Sequence, residues 1–158
     1  YLQKEDVAGY IKNLIDKYQI PMELFQLEIT ETTENAESLS YINSLKQAGF
    51  TLLMDDFGSG YSSLCMLKNT PFDVLKMDRQ FLDECLDSKQ GKTIISHVIS
   101  MSNDLGLSII AEGVENRGTA DFLYDNGCSV SQGFYFSKPV SIPEFEHMLD
   151  EQQTEQQR

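Results

Sequence analysis

The sequence predicts an α/β fold built on a parallel sheet. Helix-period and strand-like segments alternate along the whole chain. The strand-like runs are apolar on both faces, as in a sheet covered by helices on both sides. Four of them end in carboxylates or a lysine. Leu27-Glu28-Ile29 leads into Thr30-Glu31, and Leu52-Leu53-Met54 into Asp55-Asp56. Val74-Leu75 leads into Lys76-Met77-Asp78, and Ile109-Ile110-Ala111 into Glu112-Gly113-Val114-Glu115. In a parallel sheet flanked by helices the strand C-termini share one rim, and ligands bind there. These groups should converge as several carboxylates around one lysine, the layout of a metal-assisted phosphoryl site.

The elements follow in order. Val7, Ile11, Leu14 and Ile15 recur at helical spacing, and Pro21 closes that segment. Leu24 to Ile29 reads as a strand. Leu39, Ile42, Leu45 and Ala48 mark a helix stopped by Gly49. Phe50 to Met54 is a buried strand; Gly58 and Gly60 make a turn before a short helix from Tyr61 to Lys68. Pro71 precedes the strand Phe72 to Met77. Helical spacing returns over Arg79–Leu86 and from about Lys92 to Leu105, with Gly106 as the stop. Leu107 to Ala111 is a strand, Thr119 to Asn126 a helix, Ser129 to Gln132 a short strand or turn, and Ile142 to Leu149 the last helix. About five strand–helix units result. They admit a complete doubly wound sheet of flavodoxin-like size or part of an eight-stranded barrel, which takes about 250 residues. Length favours the first, and the motifs favour the second.

Composition narrows the function. The 158 residues are 41% hydrophobic, enough for one core, and carry a formal net charge of -13. Such a balance argues against binding a nucleic-acid polymer, which needs clustered Lys and Arg. Part of the acidic excess is open to assignment as a cation site; a solvated acidic surface accounts for the rest. Cys65, Cys85 and Cys128 are widely spaced with no Cys-x-x-Cys, which fits reduced thiols in a cytoplasmic protein. No apolar run approaches the roughly 18–20 residues of a membrane span. The chain starts at Tyr1 instead of Met, so a longer parent is expected. Residues 151–158 have no apolar face and are expected to fray, leaving 1–150 as the folded part.

The chemistry-bearing groups each admit a functional and a structural reading. Successive strand residues point to opposite faces. Asp55 and Asp56 therefore share a site only where the strand breaks into a loop, and Gly58 and Gly60 favour that break. Paired cations about 3.5–4 Å apart would suit them; the alternative is a helix-capping Asp beside a solvent Asp. Glu28 fits a cation ligand. Glu31, three residues on, either braces a neighbouring loop or belongs to a capping pattern. Lys76 lies inside an apolar strand: beside carboxylates and a phosphate it stays charged, and otherwise it snorkels to solvent. Glu112 or Glu115 could bind a cation or take a proton from water. If Glu28, Asp55, Asp56, Glu112 and Glu115 converge, each close pair costs about 3–4 kcal/mol at an effective dielectric near 20. Divalent metal would relieve that, and all-oxygen ligation suits Mg2+ or Mn2+. Gln132-Gly133-Phe134-Tyr135-Phe136 is either a base-stacking surface or core packing, and His97 reads as structural on its apolar helix.

These residues carry a resemblance. LEITET at Leu27 to Thr32, DDFGSGYSSL at Asp55 to Leu64, LKMDRQF at Leu75 to Phe81, AEGVE at Ala111 to Glu115 and GCSVSQGFYFSKP at Gly127 to Pro139 are similar, in order and spacing, to motifs of the EAL domain. That domain is the bacterial phosphodiesterase module that hydrolyses cyclic di-GMP. The resemblance implies a (β/α)8 TIM-like barrel with one antiparallel strand, of which residues 1–150 are the C-terminal portion. It implies Glu28, Asp55, Asp56 and Glu112 as ligands of two Mg2+ or Mn2+ ions. It implies Lys76 as the holder of the nucleophilic water, Glu112 or Glu115 as general base or water-ordering group, and Gln132 and Arg79 as substrate-binding residues. Glu31 resembles the glutamate that anchors the Asp-Phe-Gly loop and links dimerisation to activity. The implied reaction is in-line attack of a metal-activated water on one phosphodiester, giving linear pGpG. A cytoplasmic homodimer associated through the barrel, with a sensory or GGDEF domain upstream, is the implied setting.

The front of the chain departs from the pattern. The family's first strand bears Glu-Ala-Leu, whose glutamate is a metal ligand, and a later strand supplies an asparagine ligand. Neither occurs here, so roughly the first third of the domain is expected to precede Tyr1, and the chain as given is expected to hydrolyse slowly or not at all. Two rivals remain. One is a cyclic di-GMP receptor that binds without cleaving. The other is a receiver domain, in which Asp73 would have to be the phosphoacceptor although it begins a strand instead of ending one.

Overall fold

Five strands and seven helices alternate among the described residues, which are 7–30, 36–59 and 63–156 of this computed structural model. Helix α1 (Val7–Tyr18) and a 3-10 turn (Met22–Leu24) lead into β1 (Gln26–Thr30); α2 (Ala36–Gln47) and β2 (Thr51–Phe57) follow. Next come α3 (Ser63–Asn69), β3 (Val74–Met77), α4 (Arg79–Leu86), α5 (Lys89–Asp104) and β4 (Ser108–Ala111). The chain ends in α6 (Arg117–Asp125), β5 (Val130–Ser131) and α7 (Ile142–Gln156).

All four strand pairings are parallel, and the order in the sheet is the order in the chain, β1-β2-β3-β4-β5. A doubly wound sheet reverses at a switch point, as in the order 2-1-3-4-5, so that reading is excluded, and the receiver reading with it. An unreversed order is that of a barrel wall, where right-handed crossovers bring the connecting helices to one face. The expectation of helices on both faces is corrected accordingly. On the helix-packed face Leu52, Met54, Leu75, Met77 and Ala111, all fully buried, meet Ile42, Leu45, Ile95, Ile99 and Leu123. The alternate residues Glu28, Leu53, Val74, Lys76 and Ile110 share the other face by register, since Leu53 pairs with both Glu28 and Val74, and Lys76 with Ile110. Both faces are apolar because one is packed by helices and the other lines the concave side of the wall.

Several boundaries differ from expectation by a few residues, and three bear on the argument. Strand β2 runs past Met54 through Asp55 and Asp56 to Phe57. Helix α5 starts three residues early, at Lys89, because Ser88 caps it, its hydroxyl accepting from Gly91 N at 2.9 Å. Helix α7 continues beyond Leu149 to Gln156, so the segment expected to fray is helical as far as it is described. Glu and Gln are good helix formers even without an apolar face. His97 is exposed, not packed, with Nδ1 2.8 Å from Thr93 O.

Asp73 ties the rim opposite the strand C-termini. Its carboxylate accepts from Leu52 N at 2.8 Å and pairs with Lys46 of α2. Its own N–H donates to Leu52 O and its carbonyl accepts from Ser108 N, both at 2.9 Å. One residue thus staples α2, β2, β3 and β4, far from the rim where a phosphoacceptor would lie.

Candidate active site

Lys76 is the centre. Strand alternation aims it at the concave face, where it is 7% exposed. Its Nζ lies 2.7 Å from Glu28 Oε1, 2.8 Å from Asp55 Oδ1 and 2.8 Å from Glu112 Oε1. These carboxylates come from β1, β2 and the residue after β4, so three strands converge on the fourth. The snorkelling alternative is excluded. Burial alone would lower the ammonium's pKa, but hydrogen bonds to Asp55, Glu112 and Glu28 outweigh it and hold the pKa above the usual lysine value.

Asp55 and Asp56 share the site through a break within the strand. The β2–β3 register shifts between Met54 and Phe57, and Asp56 has φ 57°, the left-handed region. This bulge turns one of two adjacent carboxylates without ending the strand. Desolvation and the neighbouring Asp55 push the Asp56 carboxyl above the ordinary aspartate value; Asp78 and Glu28 add to this, and Lys76 opposes it. Gly58 (φ 100°) continues the turn against the ring of Phe81, where a Cβ would lie 2.5 Å from Cγ.

The β4 loop divides the two glutamates between which the sequence leaves the general-base role open. Glu112 joins Lys76, and its N–H donates to Met77 O at 3.0 Å. Glu115 instead pairs with Arg79 Nη2 at 2.7 Å. Arg79 opens α4 and drapes its stem over Gly113, where a Cβ would lie 2.4 Å from Arg79 Cγ. Gln132, just after β5, donates from Nε2 to Glu112 Oε1 at 2.8 Å. A cavity of about 470 Å³ opens beside these groups, walled by Arg79, Glu115, Gln132, Phe134 and, from α7, Phe145. Phe134 and Phe136 are each 55% exposed, so the aromatic run is rim surface and not core. Glu31 lies outside the described residues.

Sequence reasoning missed three placements. Asp78 caps α4, accepting from Gln80 N at 2.8 Å, a role signalled by an Asp immediately before a helical run. The Glu112–Gln132 bond and the Glu115–Arg79 pair have no local signal. Among the described residues no three acidic, His or Cys groups already surround a cation position. Glu28, Asp55 and Glu112 instead close on the Lys76 ammonium.

A sequentially ordered parallel α/β wall with carboxylates gathered at its C-terminal rim defines a barrel-type domain with a rim active site. The family model described as the EAL domain matches residues 1–139, and the chain belongs to that family. The signaling protein YkoW of Bacillus subtilis is 39% identical over 95% of this chain and 19% of its own length. The cyclic di-GMP phosphodiesterase RocR of Pseudomonas aeruginosa is 37% identical over 91% of this chain and 37% of its own. The chain therefore spans between about a fifth and two fifths of these relatives. Among solved structures, the cGMP-bound form of the EAL enzyme Bd1971 superposes with a TM-score of 0.86 at 30% identity, over 93% of this chain and 40% of that one. The manganese and cyclic di-GMP complex of Klebsiella pneumoniae BlrP1 gives 0.79 at 30% identity, over 85% and 35%.

Proposed function

We propose that this chain contributes the catalytic rim of a cyclic di-GMP phosphodiesterase producing pGpG. The observation that carries it is the convergence of Glu28, Asp55 and Glu112 on buried Lys76, with Asp56 held alongside. The relatives' names and the cyclic di-GMP complex of BlrP1 support the substrate.

The residues fit divalent cations. Their donors are all oxygen, and three carboxylates meet the single Lys76 ammonium, a surplus of negative charge that one lysine leaves uncompensated. Glu28, Asp55, Asp56 and Glu112 would hold two Mg2+ or Mn2+ ions. Bound there, the ions would neutralise phosphodiester charge and make water more acidic. Lys76, whose three N–H groups meet Glu28, Asp55 and Glu112, would orient the attacking water once a bound cation draws one of these carboxylates away. Glu112 takes the water's proton as the water oxygen bonds to phosphorus and the bond to the ribose oxygen breaks, that oxygen taking a proton from solvent; Glu112 is better placed than Glu115, which Arg79 holds aside. Arg79 walls the cavity in which a guanine nucleotide would lie, with Phe134 offering a stacking face. The setting is cytoplasmic, consistent with free cysteines and with no helix, among the described residues, long and apolar enough to cross a membrane.

The natural full-length protein, incubated with Mn2+ and cyclic di-GMP, is expected to release pGpG, followed by chromatography, with loss of turnover on chelation. Binding without pGpG would establish the receptor reading instead. The reading extends to a homodimer. Leu64 of α3, 61% exposed, and Ile94 of α5, 51% exposed, border an apolar groove of about 260 Å³ with Val98 and Met101, and a second copy would cover it. Ile94→Glu is expected to shift the protein to monomer in sedimentation velocity; an unchanged coefficient would exclude this face.

A further inference from the structure

We propose that Gln132 serves as a positioning residue for Glu112 and not as a substrate contact, an inference that rests on the phosphodiesterase reading above. Three attachments carry it. The Gln132 amide Nε2 donates to Glu112 Oε1 at 2.8 Å, the same oxygen that Lys76 Nζ holds at 2.8 Å. A carboxylate only accepts, so this bond fixes which end of the Gln132 amide faces Glu112. Gln132 N donates to Ala111 O at 2.8 Å, and Gln132 O accepts from Val114 N at 3.0 Å. Its main chain thus grips the β4 loop on either side of Glu112-Gly113, and its side chain grips the carboxylate between.

The surroundings make the grip rigid. Gly133 packs so closely that a Cβ there would lie 2.2 Å from Val114 O, and Tyr135 N donates to that same oxygen at 3.0 Å. Of the three carboxylates on Lys76, Glu112 alone has a second side-chain donor among the described residues. Among the described residues Asp55 meets Lys76 alone as a side-chain donor, and Glu28 is half-exposed. Two donors on Oε1 fix the carboxylate rotamer and leave Oε2 as the oxygen available for a cation or a proton. Without Gln132, the carboxylate would pivot about the Lys76 contact. Loss of such a supporting hydrogen bond typically costs about 10–100-fold in metal affinity or activity.

The test uses Gln132→Met, which keeps length and removes the donor, and Gln132→Glu, which sets a second carboxylate against Glu112. Both changes are at an exposed position, and circular dichroism melts check the fold. In the natural full-length protein, Mn2+ binding by calorimetry is expected to weaken about tenfold or more in Gln132→Met and further in Gln132→Glu. The value of kcat should fall in step while KM for cyclic di-GMP stays within about twofold. In a Glu112→Gln background, Gln132→Met should change Mn2+ affinity no further. A raised KM with unchanged Mn2+ affinity would overturn the proposal and make Gln132 a substrate contact. Wild-type protein that binds Mn2+ without turnover would overturn the phosphodiesterase reading alone, since the Mn2+ series still decides the role of Gln132. Wild-type protein that binds no Mn2+ would overturn both.

Discussion

Lys76→Met is expected to abolish turnover and to cost about 2–3 kcal/mol of folding stability, less than the ~3–5 kcal/mol for breaking a fully buried pair. The discount reflects Glu28, whose side chain is 51% exposed, against 17% for both Asp55 and Glu112. The variant leaves three carboxylates facing one another with no cation between them. The pH dependence follows in sign. Lys76 has a folded pKa above its unfolded value. Its stabilising contribution is therefore complete below the unfolded value, about 10.4, and is lost only as pH rises through the higher folded one. From pH 6 to 9 the deficit of the variant should be flat. Asp56, whose folded pKa is raised by desolvation and by Asp55, adds the opposite dependence in both proteins: its protonation favours the folded state. Mn2+ should stabilise the variant at least as strongly as the parent while leaving it inactive. Urea denaturation with and without Mn2+ measures this; equal stability of the two proteins at pH 7 would show that the cluster is not coupled through Lys76.

Gly133→Ala is expected to be as damaging by a different route. Gly133 has φ 155°, and an added Cβ would meet Val114 O at 2.2 Å and Val114 N at 2.3 Å. Both are main-chain atoms inside the β4–β5 hydrogen-bond pattern, so neither can yield without breaking Val114 N→Gln132 O or Tyr135 N→Val114 O. A loss of about 3 kcal/mol is expected, a fall in Tm of about 6–12 °C for a domain of this size. Turnover should fall more than tenfold, because Gln132 and Glu112 would separate. Gly106→Ala is the control: φ is 72°, but nothing lies within 4 Å of the added Cβ, so the cost is left-handed backbone strain of about 1 kcal/mol. Similar Tm values for the two variants would show that the Val114 contact relaxes.

Helix α4 spans the expected residues, Arg79–Leu86, because a helix is written in spacings of three and four. The strands were legible as apolar runs, and their ends as acidic or basic. The β2 bulge was half legible: adjacent aspartates demanded a break, but its form, a left-handed Asp56 within a strand that goes on to Phe57, was not. Strand order was legible only through the motifs, whose resemblance implied a barrel and so the sequential order found; hydrophobic periodicity did not carry it. Apolarity on both faces looks the same whether two helix layers cover a sheet or one helix layer and a barrel interior do.

The chain's own spacing of residues therefore told which groups ride in or just after the strands near one rim: Glu28, Asp55, Lys76 and Glu112. That is local information, because alternation with period two follows from the geometry of each strand alone. Which of these groups touch is a property of register between strands distant in sequence. Tertiary packing sent Glu112 to Lys76 and Glu115 to Arg79, bound Gln132 to Glu112, and carried Asp73 to the opposite rim. Such partnerships cost nothing to forgo in an isolated segment, where every carboxylate is equally satisfied by water. They take definite form only when the folded sheet removes that water and leaves each carboxylate a few fixed donors to meet.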